Sequence, residues 1–214
     1  MYTIMLEMLK TLKWGNDVIY KLAAHLVKVF LSIFGRLKVF QKDKLPRDDK
    51  GYVIACTHTG WVDILWLGIA IYPTNIHYMA KIELFQNRLL KWLMEKLNAF
   101  PVDRENPGPS AIKIPRRLLK EGKVVGIFPS GTRTSEEVPL KRGAVTIASR
   151  GEAPIIPAAY VGPNNFKDLL KRKKPKLIFG DPIHASKDLP RREAMDKMME
   201  ELNDALSELQ KKIK

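Results

Sequence analysis

The sequence predicts a single α/β domain in which helices cover a mixed sheet. Short apolar runs rich in valine and isoleucine alternate along the chain with longer segments whose apolar residues recur at helical spacing. This alternation is typical of a sheet covered by helices. The length of 214 residues favours one domain, and a hydrophobic fraction of 45% is sufficient for its core.

Residues 1–35 predict a helical segment that precedes the rest of the domain, residues 36–214. Leu, Ile, Met, Phe and Val dominate this segment, and its polar residues recur mostly at steps of three or four, so they form one stripe. Gly15 and Asn16 could divide it into two helices. A broad apolar face with lysines beside it is typical of a helix in a membrane interface, although a helix packed on the domain core would show the same pattern.

The remaining elements follow from periodicity and from turn residues. The predicted strands are 37–41, 52–56, 76–80, 124–128, 155–161 and 177–179, and residues 100–102 are predicted to be short and extended. The predicted helices are 64–70, 84–97, 111–119 with Ser110 as its cap, 143–150, and a C-terminal helix from Arg191. The methionine-rich stripe of the last helix is interpreted as packing rather than as a cofactor site.

An imidazole and a carboxylate, His58 and Asp63, follow the predicted strand 52–56. Two residues five positions apart point about 140° from each other on one helix, so a cooperating pair must straddle a turn. We therefore place His58 at the end of the strand and Asp63 in the first turn of the next helix. Ligands and chemistry gather at that edge of α/β sheets.

These two residue types can form a general base. A neutral imidazole accepts a proton near pH 7 because its ordinary pKa is about 6.5. A carboxylate bonded to the other ring nitrogen fixes the tautomer and stabilises the imidazolium. The alternative is a surface histidine, with Asp63 merely favourable at a helix N-terminus. Cys56, the one cysteine, is interpreted as a core residue.

A second polar stretch follows the predicted strand 124–128. Gly131 permits a tight turn, and the planar guanidinium of Arg133 suits phosphate oxygens. An ordinary turn with a surface arginine is the alternative. The stretch reads Phe128-Pro129-Ser130-Gly131-Thr132-Arg133.

The two stretches, in this order and separation, resemble the glycerolipid acyltransferase family, and within it the 1-acylglycerol-3-phosphate acyltransferases. His58 and Asp63 match the family's His-x4-Asp motif, and the second stretch matches Phe-Pro-Glu-Gly-Thr-Arg except at Ser130. Further matches are Lys81-Ile82-Glu83-Leu84-Phe85, Pro101-Val102-Asp103-Arg104 and Pro154-Ile155-Ile156-Pro157. The combination is specific, whereas each piece alone is weak.

The resemblance implies an acyltransferase domain at 36–214 that moves a fatty acyl chain from acyl-CoA or acyl-ACP to the sn-2 hydroxyl of lysophosphatidic acid, giving phosphatidic acid. His58 would be the general base and Asp63 its partner. The substrate-binding residues would be Lys81, Arg104, Ser130, Gly131, Thr132 and Arg133. The implied chemistry needs no cofactor and no metal, and the histidines show no metal-ligand spacing.

Ser130 departs from the family pattern, because the family usually has glutamate there. The serine removes a charge near the expected phosphate, so this position leaves the identity of the acceptor open while the reaction stays the same. Another phosphorylated or lysolipid acceptor, a Ser130 nucleophile and a non-catalytic lipid-binding protein on the same fold remain alternatives. The serine lacks the Gly-x-Ser-x-Gly elbow typical of such nucleophiles.

The net charge of +14 favours anionic partners. No nucleic-acid-binding signature accompanies it, so we expect an anionic bilayer and its lipids rather than nucleic acid, although a general polyanion binder is an alternative. Because lysolipid and product both live in the bilayer, we expect residues 1–35 to lie in the interface and the protein to be monotopic on the cytoplasmic face. We expect neither a transmembrane helix nor a signal peptide.

A basic run covers residues 167–176. We interpret it as a solvated loop near anionic headgroups. A sharper hypothesis is a docking site for acyl carrier protein, which is acidic.

Overall fold

A computed structural model of the chain describes residues 2–47, 50–103, 106–130 and 140–214, with side chains from Val18 onward. In these residues seven strands form one mixed sheet with the order β1-β7-β6-β2-β5-β3-β4. The β6–β7 pair is antiparallel and the other neighbours are parallel. The strands are β1 Lys38–Phe40, β2 Tyr52–Cys56, β3 Ile76–Lys81, β4 Phe100–Val102, β5 Val124–Ile127, β6 Ile155–Val161 and β7 Lys176–Phe179.

Helices cover both faces of the sheet. The described part of the chain has the helices α1 Tyr2–Phe34, α2 Val62–Ile71, α3 Arg88–Lys96, α4 Ser110–Lys120, α5 Gly143–Gly151, α6 Phe166–Leu170 and α7 Arg191–Ile213, with 3-10 turns at Lys42–Lys44 and Ile82–Phe85. None of these helices combines the length and the apolar character that crossing a membrane requires.

The central strand β2 explains why the sheet needs two helical layers. All five of its residues are buried, because parallel strands flank it and helices lie above and below. Ile54 and Cys56 face a core shared with α1 and α2. Val53 and Ala55 face the other core, formed with α4, α5 and α7.

The predicted α/β class, the mixed sheet and the six predicted strands are confirmed, and the extended segment 100–102 forms the seventh strand, β4. The single helix predicted over 84–97 is wrong, because a 3-10 turn covers Ile82–Phe85 and α3 begins at Arg88. The Asn87 side chain accepts hydrogen bonds from the amides of Leu89 and Leu90, which sets this start. Ser110 is not a cap either, since α4 already includes it and its N-cap position is Pro109.

Two other local predictions need correction. Helix α1 is continuous from Tyr2 to Phe34, so Gly15 and Asn16 do not break it. The basic run 167–176 is not simply a solvated loop, because it contains most of α6, whose Asn165 side chain caps the helix by accepting from the Asp168 amide. Leu169 of this helix is buried in the core.

The half of α1 whose side chains are described, from Val18 onward, has three faces. Tyr20 and Leu31 are buried against the domain, and the Tyr20 hydroxyl accepts a hydrogen bond from the Ile76 amide. A second face is apolar and exposed, and polar side chains such as Lys21 and Lys28 form the third. The exposed apolar residues are Val18, Leu22, Leu26, Val29, Phe30 and Ile33. The helix is therefore part of the core and also presents an uncovered apolar stripe, while the domain boundary at residue 35 stays a prediction.

Candidate active site

The site lies where three neighbouring strands end. Strands β5, β2 and β6 are adjacent and parallel, so their carboxyl ends meet at one edge of the sheet. His58 follows β2, Phe128 follows β5, and Asn164 lies just beyond β6. This edge is where α/β folds bind ligands.

His58 and Asp63 form a buried pair. The His58 Nδ1 atom lies 3.1 Å from Oδ2 and 3.2 Å from Oδ1 of Asp63. His58 is 6% exposed and Asp63 is 0% exposed. The residues between them form a turn, and Asp63 lies in the first turn of α2, as the spacing predicted. Because Nδ1 faces the carboxylate, Nε2 is the nitrogen left to meet a substrate.

The carboxylate of Asp63 is held by the backbone as well as by His58. Its Oδ2 atom accepts hydrogen bonds from the amides of Thr59, at 2.7 Å, and Gly60, at 3.0 Å. A carboxylate without exposure is tolerated only when such donors replace water. These bonds fix the side chain in one orientation before any substrate arrives.

Gly60 and Asn164 join the turn after β2 to the segment after β6. The Thr59 hydroxyl donates to Oδ1 of Asn164 at 2.9 Å. A Cβ atom at Gly60 would lie 2.0 Å from the carbonyl oxygen of Asn164, so only glycine fits this approach. The sequence shows the glycine but carries no signal that identifies Asn164 as its neighbour.

An aromatic stack supports the other side of His58. The Phe128 ring lies on the imidazole with centroids 4.3 Å apart, and Tyr78 stacks on Phe128 at 6.1 Å. The Tyr78 hydroxyl donates to the Ile64 carbonyl at 2.8 Å, in the same helical turn as Asp63. Gly126 makes room for this arrangement, because a Cβ atom there would lie 2.7 Å from the Tyr78 ring. Sequence analysis missed the role of Tyr78, since an aromatic residue in a strand ordinarily indicates core packing.

His58 opens onto a cavity of about 340 Å³. The cavity lies between the strand ends and the N-terminal turns of α4 and α5, and its lining is mainly apolar. Among its walls are Met79, Val102, Ala111, Ile112, Ile127, Phe128, Ala144 and Ile147, with Lys141 and Arg142 as basic residues. An apolar cavity beside a base suits an acyl chain whose reactive carbonyl must reach that base.

The structure locates only some of the other predicted site residues. Lys81 ends β3, and its Nζ lies 2.7 Å from Oε1 of Glu83, where this contact lowers the pKa of the glutamate. Ser130 follows the β5 end, two residues after Phe128. The predicted residues Arg104, Gly131, Thr132 and Arg133 lie outside the described residues. Their roles stay predictions.

Cys56 is fully buried at the end of β2, and burial raises the pKa of its thiol well above the ordinary value, with Asp63 adding to the effect. Such a thiol is a poor nucleophile. Within the described ranges, no three His, Cys, Asp or Glu side chains come together as metal ligands would. That the site works without metal or cofactor stays a prediction.

The comparison with known families decides the class of this chain. The sequence model of the acyltransferase family matches residues 36–161, which include both strand ends and His58 with Asp63. The chain belongs to the acyltransferase family.

Curated relatives carry a more specific name. A Bacillus subtilis protein named 1-acyl-sn-glycerol-3-phosphate acyltransferase is 58% identical over 196 residues, which are 91% of this chain and 98% of the relative. A Streptococcus pneumoniae protein of the same name is 38% identical over 80% of this chain and 65% of its own length.

A solved structure shares the fold. The crystal structure of the 1-acyl-sn-glycerophosphate (LPA) acyltransferase PlsC from Thermotoga maritima is similar with a TM-score of 0.67, over 92% of this chain and 82% of that one. At 19% identity this likeness shows the fold alone. The acyltransferase fold is therefore seen both in the sequence comparison and in the three-dimensional one.

Proposed function

We propose that this acyltransferase moves a fatty acyl chain from a thioester donor to the sn-2 hydroxyl of lysophosphatidic acid, giving phosphatidic acid. The observation that carries the proposal is the buried His58–Asp63 pair at the wall of an apolar cavity. The name of the Bacillus subtilis relative, which matches over nearly its whole length, supports this acceptor.

The pair acts as a general base. His58 Nε2 takes the proton of the sn-2 hydroxyl while the oxygen attacks the thioester carbonyl. The C–S bond then breaks, and the leaving thiolate receives the proton from the imidazolium. Asp63 keeps the Nδ1 hydrogen on the side away from the substrate and stabilises the charged ring. General-base help of this kind contributes about 10²–10⁴-fold.

Basic residues bind the phosphate of the acceptor in this proposal. Arg133, with Arg104 and Lys81, forms the clamp that the family resemblance implies, and Ser130, Gly131 and Thr132 shape the turn. At the described wall of the cavity, Lys141 adds positive charge, whereas Arg142 is paired with Asp196 and Asp103 adds a negative charge. Positioning by such a clamp can contribute as much as the base does.

The test is to measure thiol release from acyl-CoA with lysophosphatidic acid and to identify the lipid product by mass spectrometry. The phosphodiester 1-acyl-glycerophosphocholine serves as the comparison acceptor. We expect phosphatidic acid from the wild-type protein and a loss of at least about 10²-fold in His58→Ala. The variant His184→Ala, at an exposed histidine outside the site, is the control. A preference for the phosphodiester acceptor would contradict the proposed substrate.

The proposed location is the cytoplasmic face of the membrane, with the exposed apolar stripe of α1 in the lipid interface. The stripe is uncovered in the structure and has Lys21 and Lys28 beside it, a pattern typical of interfacial helices. Deleting residues 1–35 would also remove Tyr20 and Leu31 from the core, so substitution is the cleaner test. We expect Leu22→Gln with Leu26→Gln to weaken binding to anionic vesicles while thermal unfolding stays unchanged.

Acyl carrier protein is proposed as one donor, with acyl-CoA as the other. Part of the basic run is already engaged, since Lys173 pairs with Asp168 at 2.8 Å and Lys176 donates to the Ile213 carbonyl. Charge reversal at Lys171, Arg172 and Lys174, all exposed, should slow transfer from the carrier protein and spare transfer from acyl-CoA. Reversal at Arg116 and Lys120 of α4 and at Lys197 of α7, all exposed, is the matched control. Equal loss with both donors would contradict a docking site.

A further inference from the structure

Helix α3 has an apolar face that the fold leaves uncovered. None of its residues is buried. Leu89 is 72% exposed, Trp92 is 51% exposed, and Leu90 and Leu93 are each 40% exposed. A surface helix ordinarily turns such residues toward the core, and contiguous exposed apolar patches mark interaction sites.

The uncovered face continues onto neighbouring elements. Ile82 and Leu84 of the 3-10 turn before α3 are also exposed. Helix α3 contacts α1, whose own apolar stripe is uncovered. We call the exposed apolar residues of the 3-10 turn Ile82–Phe85 and of α3 the α3 patch. The α3 patch and the α1 stripe thus lie on adjoining helices.

Charge on these two helices selects an anionic occupant. Residues 18–34, the part of α1 whose side chains are described, carry Lys21 and Lys28 and no acidic side chain, and Arg36 lies two residues beyond the end of the helix. Helix α3 carries Arg88, Lys91 and Lys96 against the single acid Glu95. The 3-10 turn of the α3 patch adds Glu83, which pairs with Lys81. Seven basic side chains and two acidic ones therefore accompany the apolar surface, a charge balance that attracts anionic lipid headgroups.

The α3 patch is joined to the active-site cavity through two strands. Helix α3 belongs to the connection between β3 and β4. Met79 of β3 and Val102 of β4 both line the cavity that holds His58. The segment that carries the α3 patch therefore starts and ends on strands that line the cavity.

We propose that the α3 patch docks on the surface of an anionic lipid bilayer and is a second membrane contact beside the α1 stripe. Leu89, Leu93 and Trp92 enter the boundary between headgroups and acyl chains, and Arg88 and Lys91 face the headgroup phosphates. This contact holds the cavity mouth at the bilayer, so that a lysolipid reaches His58 without crossing water. The inference rests on the proposed function, because it assigns the bilayer as the source of the acceptor.

The test uses the full-length chain with two substitutions, Leu89→Gln and Leu93→Gln. Glutamine keeps helix propensity and both leucines are exposed, so the fold should persist. The control carries Phe40→Gln and Leu189→Gln, which are 44% and 37% exposed. Phe40 is in β1, at the sheet edge opposite β4, and Leu189 lies just before α7. Binding is measured by flotation with vesicles of equimolar phosphatidylcholine and phosphatidylglycerol. Activity is measured with vesicle-embedded and with dispersed short-chain lysophosphatidic acid.

We expect the α3 variant to lose at least about tenfold in vesicle binding, since each leucine withdrawn from water contributes that much. Activity on the embedded acceptor should fall in parallel, activity on the dispersed acceptor should persist, and the control should match wild type. Unchanged vesicle binding would overturn the inference. The inference would also be overturned if the two substitutions turned a dimer into a monomer in solution without changing vesicle binding. In that case a second copy of the chain, and not the bilayer, would cover the α3 patch.

Failure of the proposed function has a different signature. In that case the wild-type protein makes no phosphatidic acid from either form of the acceptor, while flotation still reports on the α3 patch. Trp92 gives an independent readout, because brominated lipids quench a tryptophan that enters the bilayer. The Trp92→Phe variant should lose a large part of the quenching seen in wild type, and equal quenching in both would contradict insertion of α3.

Discussion

At the scale of single residues, the site depends on how His58 is held from two sides. Asp63 holds Nδ1, and the backbone amides of Thr59 and Gly60 hold Asp63. Phe128 covers a ring face of His58. Tyr78 connects the two supports, since it stacks on Phe128 and bonds the first turn of α2. We therefore regard Tyr78 as a positioning residue for the base.

Tyr78→Phe tests this role because it keeps the ring and removes the bond to Ile64. We expect kcat to fall by roughly 3–10-fold with little change in KM, as a hydrogen bond contributes about 1 kcal/mol. Tyr52→Phe is the matched control. Tyr52 is a buried tyrosine whose pKa burial raises to about 12, and it begins β2, at the end of the strand away from His58. Steady-state kinetics measures both variants. An unchanged kcat in Tyr78→Phe would show that the stack packs without positioning.

Ser130→Ala separates direct transfer from a serine nucleophile. We expect a loss of less than about tenfold, because a base-assisted attack by the acceptor hydroxyl needs no enzyme ester. The measurement is initial rate against both substrates, where direct transfer gives intersecting rather than parallel double-reciprocal lines. Complete loss of activity in the variant, together with parallel lines in wild type, would establish Ser130 as the nucleophile instead.

At the scale of elements, strand ends and turns were the most predictable parts of the molecule. Short apolar runs placed six strands and the extended segment that forms β4, and the spacing of His58 and Asp63 required the turn that is found. Helix boundaries were less predictable, because local side-chain bonds decide them. Asn87 starts α3 four residues later than the apolar pattern indicated, and Asn165 caps α6, most of which lies in a run that looked like a loop.

Gly60→Ala tests the junction between the turn after β2 and the segment after β6. A Cβ atom at this position meets backbone atoms of Asn164, which cannot move aside as a flexible side chain would. We expect the free energy of unfolding to fall by about 2 kcal/mol or more, with a larger fractional loss of activity than of folded protein. Urea unfolding and kcat together test it. A variant as stable and as active as wild type would contradict the close approach.

The burial of His77 in β3 predicts that the free energy of unfolding depends on pH. Burial lowers the pKa of its imidazole, partly opposed by its contact with the Val124 carbonyl. The unfolded state therefore binds the proton more readily, so stability is full above an unfolded pKa of about 6.5 and declines as the pH falls below it. His77→Gln should flatten the change in unfolding free energy between about pH 7.5 and about pH 5.5. An unchanged slope in the variant would contradict this assignment.

At the scale of the whole molecule, the fold brings residues distant in sequence to one sheet edge. Parallel pairing of β2, β5 and β6 aligns His58, Phe128 and Asn164, which lie in three separate parts of the chain. The sequence carried His58, Asp63 and Phe128 in recognisable motifs. It carried no signal for Tyr78, Asn164 or the α3 patch, because their roles arise from contacts and exposure in three dimensions. The family match explains why the motif residues were the ones sequence analysis found.

The most direct test of the account is a double-mutant cycle on the catalytic pair. The rate of phosphatidic acid formation is measured for wild type, His58→Ala, Asp63→Asn and the double variant, with thermal unfolding to confirm that each is folded. If the pair acts as one unit, both single variants lose at least about 10²-fold and the double variant is hardly slower than His58→Ala. Losses that multiply in the double variant, or a His58→Ala variant that keeps wild-type activity, would contradict the pair as the base.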